Sequence, residues 1–214
     1  MARTAAAAAG SGEGMPAWGW FAWGGMALIS SVIALVSLRY LPGKGPVPEV
    51  TALNRYFNPW IKVHAAGAAS ALLLGATQFL PAIRARWPVL HRIGGRLYVL
   101  GCLIGGVSAL ILAAGTSAGA IAGAGFGALG CAWLATTSVA IYNILKGNVT
   151  AHRRWMIRSF ALTLAAVTLR VYLPLSSLLA LDFLVAYQVV SWLCWVPNIL
   201  LAEWFLGRRA FAQK

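Results

Sequence analysis

Six long apolar runs divide this chain, at about residues 18–40, 59–83, 94–115, 119–145, 154–174 and 177–206, and the charged residues gather between them. Each run suits an α-helix crossing a hydrocarbon core, which takes roughly 20 mainly apolar residues. The pattern predicts an all-α, polytopic transmembrane bundle of six helices over residues 18–206. Such a bundle leaves no room for a second domain. Residues 1–17 (MARTAAAAAGSGEGMPA) are small and nearly uncharged and read as a disordered tail, and residues 207–214 read as a basic cytoplasmic tail. The first run is too long for the apolar core of a signal peptide and is preceded only by Arg3, so it reads as a retained span. The segment LPGKGPVPEVTALNRYFNP carries Pro42, Pro46, Pro48 and Pro59 and is expected to form an outer loop without a long helix.

Composition excludes an ordinary soluble domain. With 60% hydrophobic and 10% charged residues and a mean hydropathy of +0.77, too few polar side chains are present to cover a globule. The net charge of +13 does not point to nucleic acid, because nearly all of it flanks apolar runs, where Lys and Arg set topology and meet anionic lipid headgroups. Arg3, Arg84, Arg86, Arg92, Arg96, Lys146, Arg153, Arg154, Arg158, Arg208, Arg209 and Lys214 place 12 of the 17 cations on one face. The positive-inside bias assigns that face, and both termini, to the cytoplasm. Arg39, Lys44, Arg55, Lys62 and Arg170 fall on the other face. Cys102, Cys131 and Cys194 all lie within apolar runs and read as packing residues.

The glycines of the fourth run imitate a nucleotide site. Gly125-Phe126-Gly127-Ala128-Leu129-Gly130 has the dinucleotide spacing but no preceding strand. Small-xxx-small spacing at Gly119/Gly123, Gly123/Gly127 and Gly101/Gly105 points to close helix packing instead. Asn148-Val149-Thr150 is a glycosylation sequon by pattern only, since it falls on the cytoplasmic face.

Two stretches open an apolar run with the same charged phrase: WPVLHRIGGRLYVLGCLIGG from Trp87 and TAHRRWMIRSFALTLAAV from Thr150. They contain two of the three histidines, His91 and His152, each followed by an arginine, and the two helices run parallel in two copies of one hairpin unit. Two readings remain open for this pair. One is a b-type haem held between His91 and His152 as axial ligands, with imidazole nitrogens about 4 Å apart through the iron. Gly94 and Gly95 would then give room for the macrocycle, Arg92, Arg96, Arg153 and Arg158 would meet its propionates, and Glu203 would accept from an imidazole. The other is a site for an anionic lipid or phosphate, made by the same arginines and two helix N-termini without a metal. Solvated residues with no role beyond topology would show the same pattern. His64 sits on the outer side, too far away to join them, and is expected to be a satisfied interfacial histidine.

Acids are scarce, so Asp182 in the last run is expected to pair with Arg170 across a turn at Pro174–Ser177. Glu203 can pair with Arg158 or Arg154, and Pro197 with Asn198 should interrupt the last helix. No acid pair or nucleophile triad can be assembled, which argues against a hydrolase.

The phrases HRIGGRLYV, HRRWMIRSFALTLAAVTLRVYLP and WVPNILLAEW resemble a family of bacterial membrane proteins known as domain of unknown function 2306, over roughly Val63 to Trp204. That resemblance implies a multi-pass protein of the bacterial inner membrane and supplies no activity. A more distant similarity is to six-helix b-type cytochromes, in which two histidine pairs on four consecutive helices hold two haems. His91 and His152 match one pair; His64 lacks a partner. Three functions follow: electron transfer through one haem b, with quinone as the expected partner in the bilayer; a non-catalytic accessory subunit of a larger respiratory or photosynthetic membrane complex; or binding of anionic lipid or a small molecule. An enzymatic role is the less favoured expectation.

Overall fold

The computed structural model describes residues 17–43 and 46–211; of the tail expected at residues 1–17 only Ala17 is among them, at the start of the first helix, and residues 1–16, Lys44, Gly45 and residues 212–214 lie outside them. Among the described residues every regular element is helical. α1 (Ala17–Ser37) ends in a 3-10 turn at Leu38–Tyr40 and is followed by α2 (Glu49–Ala52), α3 (Phe57–Gln78), α4 (Pro81–Arg86), α5 (Pro88–Ala114), α6 (Gly119–Leu145), α7 (Val149–Thr163), α8 (Ala165–Leu178), α9 (Phe183–Leu193) and α10 (Val196–Phe211).

Five stretches are long and apolar enough to cross a membrane: Ala17–Tyr40, Pro88–Ala114, Gly119–Leu145, Val149–Leu178 and Phe183–Arg208. Their flanks bare large apolar side chains, with Phe21 82% and Leu28 68% exposed, which a water-soluble monomer does not sustain over such an area. α3 has the length, at 22 residues, but not the hydropathy. Its position explains why. Ala65, Ala69, Ala71, Leu72 and Ala76 are buried against neighbouring helices, so small residues that let backbones approach replace the large apolar ones that lipid would select.

α3 and α5 form the most extensive helix pair. A Cβ on Gly67 would stand 2.6 Å from the Gly105 nitrogen and 2.9 Å from the Gly101 oxygen, so the two backbones touch there. Gly94 meets Gln78 at the other end of the same pair, which makes the helices antiparallel along their whole length. α6 packs on both α5 and α7.

Several boundaries differ from those the apolar runs predict. α5 starts at Pro88 rather than 94, because proline suits the first helical turn, where no N–H is needed. α7 starts at Val149 rather than 154, because the Asn148 side chain caps it by accepting from the Ala151 amide at 3.0 Å. The turn expected at Pro174–Ser177 lies further on, at residues 179–182. α8 runs through Pro174, and the Ser176 and Ser177 hydroxyls bond back to the Leu173 carbonyl at 2.8 and 3.2 Å. The basic segment after residue 206 continues α10 as far as Phe211.

The last two runs are each interrupted midway, at Leu164 between α7 and α8 and at Cys194–Trp195 between α9 and α10. Asn198 bridges the two breaks. Its amide reaches the Cys194 carbonyl at 3.1 Å, the Ala161 carbonyl at 3.3 Å and the Thr168 hydroxyl at 3.3 Å, while Thr168 itself bonds the Cys194 carbonyl. Backbone acceptors freed in an apolar interior are thereby paired again.

Candidate functional site

α4 is a short basic connector between α3 and α5, with Arg84 and Arg86 in its last turn. It brings cations beside the first turns of α5 and α7, where His91 and His152 sit. His91 lies within electrostatic reach of Arg84 and of His152, and Arg84 within reach of Arg153. Partial burial, and then the charge of Arg153, lower the Arg84 guanidinium below its usual value. The cluster therefore repels itself, and no described acid lies within ion-pair distance of it. Among the described residues the one ion pair within 4 Å is Arg158–Glu203, whose Nε and Nη2 donate to the two carboxylate oxygens at 2.5 and 2.7 Å.

The two imidazoles are held differently. His152 Nδ1 is 2.8 Å from the Ala140 carbonyl on α6. A carbonyl can only accept, so Nδ1 carries a proton and donates it to Ala140. His91 Nδ1 is buried and has no hydrogen-bond partner. One turn along α5, the buried Gln78 carboxamide from α3 lies against Gly94 and Gly95, and its Oε1 is likewise buried without a partner. The Arg84 guanidinium donates to the Gln78 backbone carbonyl at 3.4 Å.

The expected site thus assembles only in part. His91, His152 and Arg153 come together, joined by Arg84 and Gln78, which the sequence reading did not place there. Arg92 and Arg96 are exposed, on a different face of α5 from the buried Gly94 and Tyr98. Arg158 is occupied by Glu203 and lies 4.5 Å from the centre of the Trp155 ring. Glu203 is therefore no acceptor for the histidines, and the Ala140 carbonyl takes that part for His152. His64 is apart from the cluster, its Nδ1 donating to the Gly105 carbonyl at 2.9 Å as an α3–α5 bridge.

For a haem, the donor set suits iron, since a carbonyl-anchored imidazole such as His152 presents Nε2 to a metal. The space does not suit the macrocycle. Gln78 fills the room beside Gly94 that the sequence reading reserved for it, and deeper in the interface Phe79, Phe160 and Tyr98 pack ring on ring at 5.1 and 6.5 Å.

Arg170 and Asp182 do not meet. The Asp182 carboxylate caps α9, accepting from the Val185 amide at 2.9 Å, and Arg170 donates to the Ala166 carbonyl one turn back at 3.0 Å. The pairing required Asp182 inside the last helix; α9 begins only after it.

A second polar group, at the core, lies two helical turns below the histidines on the same faces of α5 and α7. The Tyr98 hydroxyl bonds Ser159 at 2.8 Å and Thr163 at 3.0 Å, Trp133 Nε1 donates to Thr163 at 2.9 Å, and Thr137 bonds Ser159 at 2.7 Å. The signal for it was the register itself: Tyr98 and Ser159 each follow a histidine by seven residues.

Long helices with bared apolar flanks around a polar core and one basic end define a multi-pass α-helical membrane protein. The family model described as "Predicted membrane protein (DUF2306)" matches residues 61–206, and the chain belongs to that family. No curated protein and no solved structure matches it.

Proposed function

We propose that this chain is a six-span protein of a bacterial inner membrane, with both termini cytoplasmic, that holds an anionic headgroup in the Arg84, His91, His152 and Arg153 cluster. The observation that carries this reading is the buried His91 Nδ1 without a partner, set among cations with no described acid within ion-pair distance. A buried polar atom left unpaired costs free energy, and so does clustered positive charge. A phosphate oxygen at the first turns of α5 and α7 relieves both, because it accepts from imidazole and guanidinium and from free helix amides.

Native mass spectrometry of the purified protein tests this. Phosphatidylglycerol should bind at least about tenfold more tightly than phosphatidylcholine, and joint Arg84→Gln and Arg153→Gln replacement should remove the preference. Equal binding of the two lipids would overturn the reading. An absorption spectrum decides the haem alternative: a Soret band lost on His91→Ala or His152→Ala replaces the lipid reading with electron transfer.

A further inference from the structure

At the opposite end of the bundle from that cluster, α3 begins irregularly. Asn58 has extended backbone angles (φ −102°, ψ 133°) inside the first turn, which turns Phe57 and Asn58 away from the helix that follows. The 3-10 turn at Leu38–Tyr40 packs against the same end of α3. Between them lies a crevice of about 170 Å³ lined by Tyr40, Val47, Phe57, Asn58, Ile61 and Lys62, with Gly43 at its edge. The Tyr40 hydroxyl, the Asn58 carboxamide and the Lys62 ammonium make no hydrogen bond or ion pair with other described residues. Three residues that carry hydrogen-bond donors without a partner among the described residues therefore line one small space.

The charge around this space has one sign. Arg39 lies 5.4 Å from the centre of the Tyr40 ring and donates to the Pro46 carbonyl at 3.1 Å. Arg170, far inside an otherwise apolar stretch, reaches the field of both Tyr40 and Arg39, and its one hydrogen bond is to the Ala166 carbonyl of its own helix. The acids nearest in sequence form no ion pair with these cations: Asp182 caps α9, and Glu49 is exposed on α2 and in no ion pair with another described residue. Val47, Phe57 and Ile61 supply an apolar wall beside the donors.

We propose that this crevice is a second binding site, for a compact anionic headgroup, carboxylate or phosphate, whose apolar chain lies along Val47, Phe57 and Ile61. The mixed lining selects that chemistry. A lone inorganic anion would leave the apolar wall unused, and a neutral amphiphile would leave Lys62, Arg39 and Arg170 uncompensated.

The test uses the full chain in neutral detergent, titrated with palmitate, lysophosphatidate, monopalmitoylglycerol and inorganic phosphate. Palmitate and lysophosphatidate should bind, with the neutral glyceride at least about tenfold weaker. Lys62→Gln, at an exposed position, and Tyr40→Phe, which keeps the ring, should each weaken the acidic amphiphiles several-fold with the melting temperature unchanged. Inorganic phosphate binding as tightly as the acidic amphiphiles would overturn the proposal, because the apolar wall would then contribute nothing. The site is overturned if Lys62→Gln leaves the affinity of the acidic amphiphiles untouched, or if the glyceride binds as tightly. Loss of binding in Arg84→Gln but not in Lys62→Gln would assign the ligand to the basic cluster at the other end and also overturn it. Intact binding in Arg84→Gln together with loss in Lys62→Gln supports this crevice whether or not the other cluster holds a lipid.

Discussion

The Tyr98 hydroxyl shows how polar atoms survive in this interior. Tyr98 is fully buried, as are Thr137 and Ser159, yet each hydroxyl finds another at 2.7–3.0 Å. Unpaired, such groups would cost more than the helices around them could readily offset; paired, they fix the rotation of α5 and α7 about each other. Tyr98→Phe removes two of these bonds and should lower stability by about 1–3 kcal/mol, read as a lower unfolding midpoint in detergent. A different outcome is expected at Asp182. Replacement by Ala removes the α9 cap and should cost about 0.5–2 kcal/mol. Because Arg170 bonds elsewhere, a cycle of single and double replacements with Arg170→Gln should be additive within about 0.5 kcal/mol. A larger coupling would mean that the two side chains do pair.

Among the elements, the α3–α5 pair is the one whose geometry tolerates least. A methyl on Gly67 would strike the backbone of α5, which cannot rotate aside as a side chain can. Gly67→Ala should therefore destabilise by about 1–3 kcal/mol or prevent assembly, whereas Gly24→Ala, with open space around it, should be neutral in the same melting experiment. The sequence made one half of this contact legible, since Gly101 and Gly105 stand at small-xxx-small spacing. It hid the other half, because Gly67 lies among alanines that look alike until a partner is known. In α6 the spacing found one tight glycine and missed another: a Cβ on Gly123 would stand 3.2 Å from the Ala113 carbonyl of α5, Gly127 meets nothing nearer than 4.0 Å, and a Cβ on Gly125, outside that spacing, would collide with Ser191. The helices themselves were legible from hydropathy, but their ends were not, because caps such as Asn148 and Asp182 act one residue at a time against a run of twenty. The histidine pair was visible as a repeated phrase. Arg84 and Gln78 were not, because only the chain reversal through α4 brings them beside His91.

At the scale of the whole molecule, the number of crossings rests on α3. By hydropathy it is the weakest candidate, but the continuous helix after the irregular Asn58 runs from residue 59 to 78 and rises about 30 Å at roughly 1.5 Å per residue, enough for a hydrocarbon core of roughly 30 Å. It also lies antiparallel to α5 from Gly67 against Gly101 and Gly105 to Gln78 against Gly94. A helix coextensive with a spanning partner crosses wherever that partner crosses, so six crossings are expected and the two ends of the chain should share a side. With the proposed orientation, α4, the 146–148 turn and the end of α10 should lie in the cytoplasm. Single cysteines at Arg86, Ser117, Gly147 and Leu179, all exposed, check this in intact cells once Cys131, the exposed native thiol, has been replaced by Ala. A membrane-impermeant maleimide added outside should label Ser117→Cys and Leu179→Cys and spare Arg86→Cys and Gly147→Cys until the cells are opened. The reverse pattern would invert the protein. Outside labelling of Arg86→Cys alone would move that connector to the other face and remove the basic cluster from the cytoplasmic leaflet, and with it the lipid population available to the site.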